Sequence, residues 1–122
     1  MKIRIKSNSL RYRLTRSEVE RFAQEGIIKE KLQIGDDALT YILQRTAENE
    51  MSASFHNNII TLLMPKKMAD EWTSTERVGF DATNKDLYLL IEKDFTCLDN
   101  VDEDQSDNYP NPLADSNYER KN

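Results

Sequence analysis

From Lys2 to Ser7 polar and apolar positions alternate strictly, with Ile3 and Ile5 on one side and Lys2, Arg4 and Lys6 on the other, the period of a half-buried strand. Ser7-Asn8-Ser9 makes a turn, and the alternation resumes with Leu10, Tyr12 and Leu14 opposite Arg11 and Arg13. These two runs predict an antiparallel hairpin with one apolar and one cationic face. A helix follows. Thr15 and Glu18 have the spacing of a capping box, Leu14 and Val19 that of a hydrophobic staple, and Gly26 supplies the left-handed residue that ends it. Val19, Phe22 and Ala23 form its apolar face.

Ile27 to Ile34 predicts a third strand, with Ile28, Leu32 and Ile34 opposite Lys29, Lys31 and Gln33, broken by Gly35-Asp36-Asp37. Ala38 to Thr46 is read as a strand from its Thr and Tyr content, although its near-continuous apolar run also suits a short helix. A short strand over Met51 to Phe55 leads through the turn pair Asn57-Asn58 to Ile59–Met64, which is apolar on both faces and therefore a central strand. Pro65 fits the first turn of a short second helix carrying Met68, Ala69 and Trp72 and ending at Thr73-Ser74-Thr75. Arg77–Ala82 and Leu87–Lys93, separated by Thr83-Asn84-Lys85-Asp86, read as a closing hairpin. No internal repeat is visible. The expected fold is α+β: a twisted, mainly antiparallel sheet or partly closed barrel with two short flanking helices. Residues 1–98 form the expected domain, and residues 99–122 an acidic C-terminal arm that is extended or disordered.

Length and composition narrow the function more by exclusion than by assignment. The chain has 122 residues, one cysteine, one histidine and three glycines. Cys97 alone forms no intrachain disulfide and no thiolate-rich metal site, which suits a reducing compartment. His56 alone cannot build a histidine-rich metal centre, and three scattered glycines leave no phosphate-cradling loop. No export signal or membrane-length apolar run appears, so the expectation is a cytoplasmic protein without a membrane partner.

Charge is divided along the chain. Residues 1–17 hold six Lys or Arg and no acid, whereas residues 94–115 hold seven acids and no Lys or Arg, within a net charge of -5. A net acidic chain is repelled by nucleic acid at long range, which disfavours that partner. If the first hairpin pairs as read, Lys2, Arg4, Lys6, Arg11 and Arg13 share one face at cross-strand spacing, suited to carboxylate or phosphate groups. Unrelieved, those charges repel, so counter-charge from neighbouring strands or from the acidic arm is expected.

Other candidates carry less. Tunnel-shaped enzymes that process triphosphates open on a Glu-x-Glu-x-Lys type strand that binds metal, whereas this chain opens Lys2-Ile3-Arg4-Ile5-Lys6. The acidic run Asp99 to Asp107 lacks the glycine and closing glutamate of a calcium loop. Cys97 with His56 is a conceivable thiolate pair, but Phe95, Leu98 and the nearby acids raise the thiol's pKa, so a buried structural thiol fits better. Arg11-Tyr12-Arg13 is no stacking platform, because alternation sends Tyr12 to the core side. Trp72 with Met68 reads as helix packing that leaves part of the indole exposed, and Pro110-Asn111-Pro112 as a stiff tail or an extended ligand.

Ile3-Arg4-Ile5-Lys6-Ser7-Asn8-Ser9-Leu10-Arg11-Tyr12-Arg13-Leu14-Thr15 with Ser17-Glu18-Val19, and at the far end Leu90-Ile91-Glu92-Lys93-Asp94-Phe95, Cys97-Leu98, an acidic stretch and Pro110-Asn111-Pro112, resemble the opening and closing of a family of small uncharacterised bacterial proteins. The resemblance implies a bacterial origin and a single small domain, and carries over no catalytic residue.

The expected function is a non-enzymatic binding module. Its cationic face, Lys2, Arg4, Lys6, Arg11 and Arg13, engages an acidic protein segment, its own tail or a phosphate-bearing small molecule, with no cofactor and no metal. The competing reading is a small phosphate-handling enzyme, which requires a concave basic pocket and two facing carboxylates such as Glu92 and Asp94.

Overall fold

The computed structural model describes residues 1–95. They form β1 (Lys2–Lys6), β2 (Ser9–Leu14), α1 (Arg16–Glu25), β3 (Ile27–Ile34), β4 (Asp37–Thr46), β5 (Ser52–His56), β6 (Ile59–Pro65), α2 (Lys66–Ser74), β7 (Gly79–Asn84) and β8 (Leu87–Lys93). The fold is α+β, with two helices and two four-stranded sheets that do not close. Sheet A has the order β1-β2-β8-β7 and sheet B the order β3-β4-β6-β5. The four hairpins are antiparallel, while β2 with β8 and β4 with β6 pair in parallel at the sheet centres. Both sheets are therefore mixed. Cys97 and the acidic arm lie outside the described residues.

An internal repeat that identity does not reveal is present in three dimensions. Each half of the chain runs hairpin, helix, hairpin, and Lys2–Lys6 and Ser52–His56 lie 50 positions apart. At the same spacing Leu10, Tyr12, Leu14, Val19 and Phe22 are matched by Ile60, Leu62, Met64, Ala69 and Trp72. Backbone bonds repeat as well: Tyr88 N donates to Asn8 O and Thr40 N to Asn58 O, both at 3.0 Å, while Arg45 N donates to Gly26 O and Lys93 N to Val78 O at 2.8 and 2.9 Å. The expectation of no repeat is thus corrected. What recurs is apolar spacing and backbone geometry rather than residue identity.

The halves are interleaved. The hairpins of the first half fall in different sheets, and so do those of the second, so each sheet takes one hairpin from each half. A lone two-stranded hairpin is marginal in water. Between the sheets lie the buried side chains of β2, β4, β6 and β8, closed off by α1 and α2. The equivalent aromatics Phe22 and Trp72 meet edge to face, with ring centroids 6.1 Å apart. Trp72 is fully buried rather than partly exposed, because its indole N–H donates to Val78 O at 2.8 Å and leaves no polar atom needing water.

Both ends of α1 are set locally. The Thr15–Glu18 capping box is complete, and Gly26 ends the helix at φ 74°. The carboxylate of Glu18 also binds the Met1 ammonium, which Glu30 approaches at 3.0 Å from β3. The Tyr41 hydroxyl donates to Met1 O at 3.1 Å. α2 has no side-chain cap; Pro65, at the end of β6, is its N-cap at φ -55° rather than part of its first turn.

Two predictions follow from this packing. Trp72→Ala removes half of the central aromatic pair and lowers the unfolding free energy by about 3–5 kcal/mol in urea denaturation; a loss below about 1 kcal/mol contradicts the placement. The second concerns pH. Burial alone would lower the Met1 ammonium pKa, but the hydrogen bonds and charges of Glu18 and Glu30 raise it, while burial's upward push on Glu18 is outweighed by the ammonium and by Thr15, which lower it. The Glu18 contribution is present above the ordinary carboxylate pKa and lost as pH falls through its lowered value; the Met1 contribution is present below the ordinary amine pKa and lost as pH rises through its raised value. Glu18→Gln keeps a capping acceptor but not the charge, so its stability deficit is widest between about pH 5 and 8 and narrows on either side. A deficit independent of pH, in urea titrations across that range, contradicts the ion pair.

Candidate functional site

The outer face of sheet A gathers the five cations. Leu10, Tyr12, Leu14, Leu89 and Ile91 point into the core, so alternation turns Arg11, Arg13, Tyr88, Leu90 and Glu92 outward. Register then orders the face in rows: Lys2–Arg13–Glu92–Gly79, Arg4–Arg11–Leu90–Asp81 and Lys6–Ser9–Tyr88–Thr83. Gly79 ends the first row because a Cβ there would sit 2.2 Å from Ile91 O. All five predicted residues share this face.

Counter-charge is supplied at one end by the last strand. Glu92 Oε1 receives Arg13 Nε at 3.1 Å and Nη2 at 2.9 Å, and lies 3.3 Å from Arg11 Nη1. Asp94 approaches Lys2 Nζ at 2.9 Å and Arg13 Nη1 at 3.9 Å. Its backbone N–H donates to Leu14 O at 2.8 Å, which anchors it beside the hairpin. Lys2, Arg11 and Arg13 thus sit among carboxylates, while Lys6, at the other end, makes no ion pair among the described residues.

At that cationic end is a shallow depression of about 140 Å³, bordered by Arg4, Lys6, Ser9, Arg11, Tyr88 and Leu90. Tyr88 is 39% exposed, and its hydroxyl donates to Asp81 at 2.7 Å, which keeps the phenol protonated above its ordinary pKa. Asn8 Nδ2 donates to Asp86 O at 2.5 Å and ties the first turn to the start of β8. Sequence reading did not single out Tyr88, Leu90 or Asp81; their signal was the outward parity of β7 and β8, legible only once those strands were paired with the first hairpin.

The second half supplies a comparison within the same molecule. The positions of Lys2, Arg4, Lys6, Arg11 and Arg13 are taken on sheet B by Ser52, Ser54, His56, Thr61 and Leu63. Glu92 and Leu90 correspond to Gln44 and Ile42, and Ile42 is 8% exposed on its outer face. The same strand geometry therefore forms without any of the cations. A larger cleft of about 880 Å³ lies elsewhere, between α1, α2 and the end of β8, with Arg16 and Lys93 facing Glu20, Glu76 and Asp94, so it has no consistent charge. His56 is exposed on the sheet B edge, and its pairing with Cys97 concerns a residue outside the described set. Among the described residues no three His, Cys, Asp or Glu side chains converge as metal ligands, and no helix is long and apolar enough to cross a membrane.

The chain is thus an α+β protein of two interleaved hairpin–helix–hairpin halves, of which the first hairpin turns five cations outward. It matches the Family of unknown function (DUF7009) over residues 1–113 and belongs to that family. No curated protein and no solved structure matches it.

Proposed function

We propose that this protein is a non-enzymatic binding module that holds an acidic segment of a partner protein on the outer face of sheet A, through Arg4, Lys6 and Arg11, with Lys2 and Arg13 extending the cationic rim. The observation that carries this reading is the counterpart hairpin, β5 with β6, which holds no Lys or Arg; the outward cations of sheet B, Lys29 and Lys31, stand on β3 instead. Since Ser52, Ser54, His56, Thr61 and Leu63 serve the same strands in the other half, the fold does not call for cations at these positions. Clustered like charge costs stability unless something opposes it; Glu92 and Asp94 oppose Lys2, Arg11 and Arg13, and Lys6 makes no ion pair among the described residues. A cytoplasmic setting belongs to the same reading and is supported by the single cysteine, and a bacterial one by the resemblance of the chain's two ends to a family of small bacterial proteins.

A phosphate-handling reaction draws less support. Glu92 and Asp94 lie beside the cations but are engaged by Arg11, Arg13 and Lys2, and the depression on this face is small. Tripolyphosphate serves as the comparison ligand, and its hydrolysis would favour the enzymatic reading.

Arg4→Ser, Lys6→His and Arg11→Thr together install the counterpart residues on sheet A. Measured by fluorescence anisotropy with labelled hexa-aspartate, the unaltered chain binds at about 0.02 M salt and at least tenfold more weakly at about 0.5 M, while the triple variant loses binding and keeps its unfolding free energy within about 1 kcal/mol. Binding that the triple substitution leaves unchanged contradicts the proposal. Asp99, Asp102, Glu103, Asp104 and Asp107 carry the same carboxylate chemistry outside the described residues. Neutralising them in the same titration tests the chain's own run as occupant: tighter peptide binding marks competition for the face, and unchanged binding marks a partner in trans.

A further inference from the structure

We infer that the acidic segment recognised on sheet A carries one apolar side chain between its carboxylates, and that this side chain sits on Leu90 against the ring of Tyr88. This rests on the proposed function and names the chemistry of its partner. Arg11 and Leu90 are cross-strand neighbours in one row, and Ser9 and Tyr88 in the next, so the cations of β1 and β2 end where an apolar strip begins. The depression joins the two, with Arg4, Lys6 and Arg11 on one side and Tyr88 and Leu90 on the other.

A purely charged ligand would leave this apolar strip in water. An extended peptide alternates its side chains, placing every second residue on the protein surface about 7 Å apart. Two carboxylates can then reach Lys6 and Arg11 while a neighbouring aliphatic group covers Leu90. The Tyr88 ring is held for this contact, because its hydroxyl is tied to Asp81 at 2.7 Å and does not compete for the ligand's carboxylates. On sheet B the position of Tyr88 is Thr40 and that of Lys6 is His56, while Ile42 keeps an aliphatic group at the position of Leu90, so the ring and the cation are not repeated there.

Labelled Asp-Asp-Leu-Asp-Asp and Asp-Asp-Ser-Asp-Asp peptides test the inference with the full chain at low salt. Partial burial of a leucine side chain corresponds to roughly a fivefold preference for the leucine peptide. That preference falls toward equality in Leu90→Ala and in Tyr88→Thr, the two variants guarding against misfolding of either. Equal affinity for both peptides in the unaltered chain, with binding still abolished by the Arg4, Lys6 and Arg11 substitutions, overturns the inference and leaves the cationic face standing. A leucine preference that survives both variants overturns the placement on Leu90 and Tyr88. Absence of peptide binding by every chain, including the one with the Asp99 to Asp107 run neutralised, removes the face reading itself.

Discussion

Two parallel strand pairs, β2 with β8 and β4 with β6, hold the architecture together, because each joins a hairpin of one half to a hairpin of the other. Without them every sheet separates into two-stranded pieces, which water does not support alone. The helices add the second constraint. Phe22 and Trp72 occupy equivalent places in their halves and meet at the junction, so the apolar surface of one half is completed by the other. Folding is therefore a joint event of both halves, with the closing contacts made between residues far apart in sequence.

That shared framework commits the inward positions and leaves the outward ones to vary. Inward, Leu10, Tyr12 and Leu14 correspond to Ile60, Leu62 and Met64: apolar groups of differing shape in a common pattern. Outward, arginine and lysine on β1 and β2 correspond to serine, histidine, threonine and leucine on β5 and β6, while Asp81 and Thr83 of β7 correspond to Lys29 and Lys31 of β3. Because backbone geometry is matched, the difference between the faces is a difference of chemistry. The cationic face is internally buffered at one end by Glu92 and Asp94, which lowers mutual repulsion where Lys2 and Arg13 crowd together, and it becomes more positive toward Lys6.

Local features were legible from residue order, and non-local ones were not. Thr15, Glu18 and Gly26 specify α1 within their own neighbourhood, so both its ends could be read directly. Strict alternation in Lys2–Lys6 and Leu10–Leu14 gave the hairpin register, and with it the common face of the five cations. The duplication stayed hidden because Phe22 answers to Trp72 and Val19 to Ala69, pairs that preserve packing without preserving identity. The parallel pairs stayed hidden because β2 and β8 lie at opposite ends of the described chain, and no turn chemistry connects them. Tyr88 and Leu90 joined the candidate site only through that pairing. Trp72 was legible as a core residue but not as a fully buried one, since its hydrogen bond to Val78 depends on how the chain leaves α2.

The central claim is that sheet A carries recognition and sheet B supplies the same frame without it. Mapping amide chemical-shift changes during titration with unlabelled hexa-aspartate tests this most directly, since the two faces serve as probe and control in one sample. The account predicts changes concentrated at Arg4, Lys6, Arg11, Tyr88 and Leu90, with Ser54, His56, Thr61, Thr40 and Ile42 unmoved. Changes of equal size on both faces, or centred on sheet B, would contradict it.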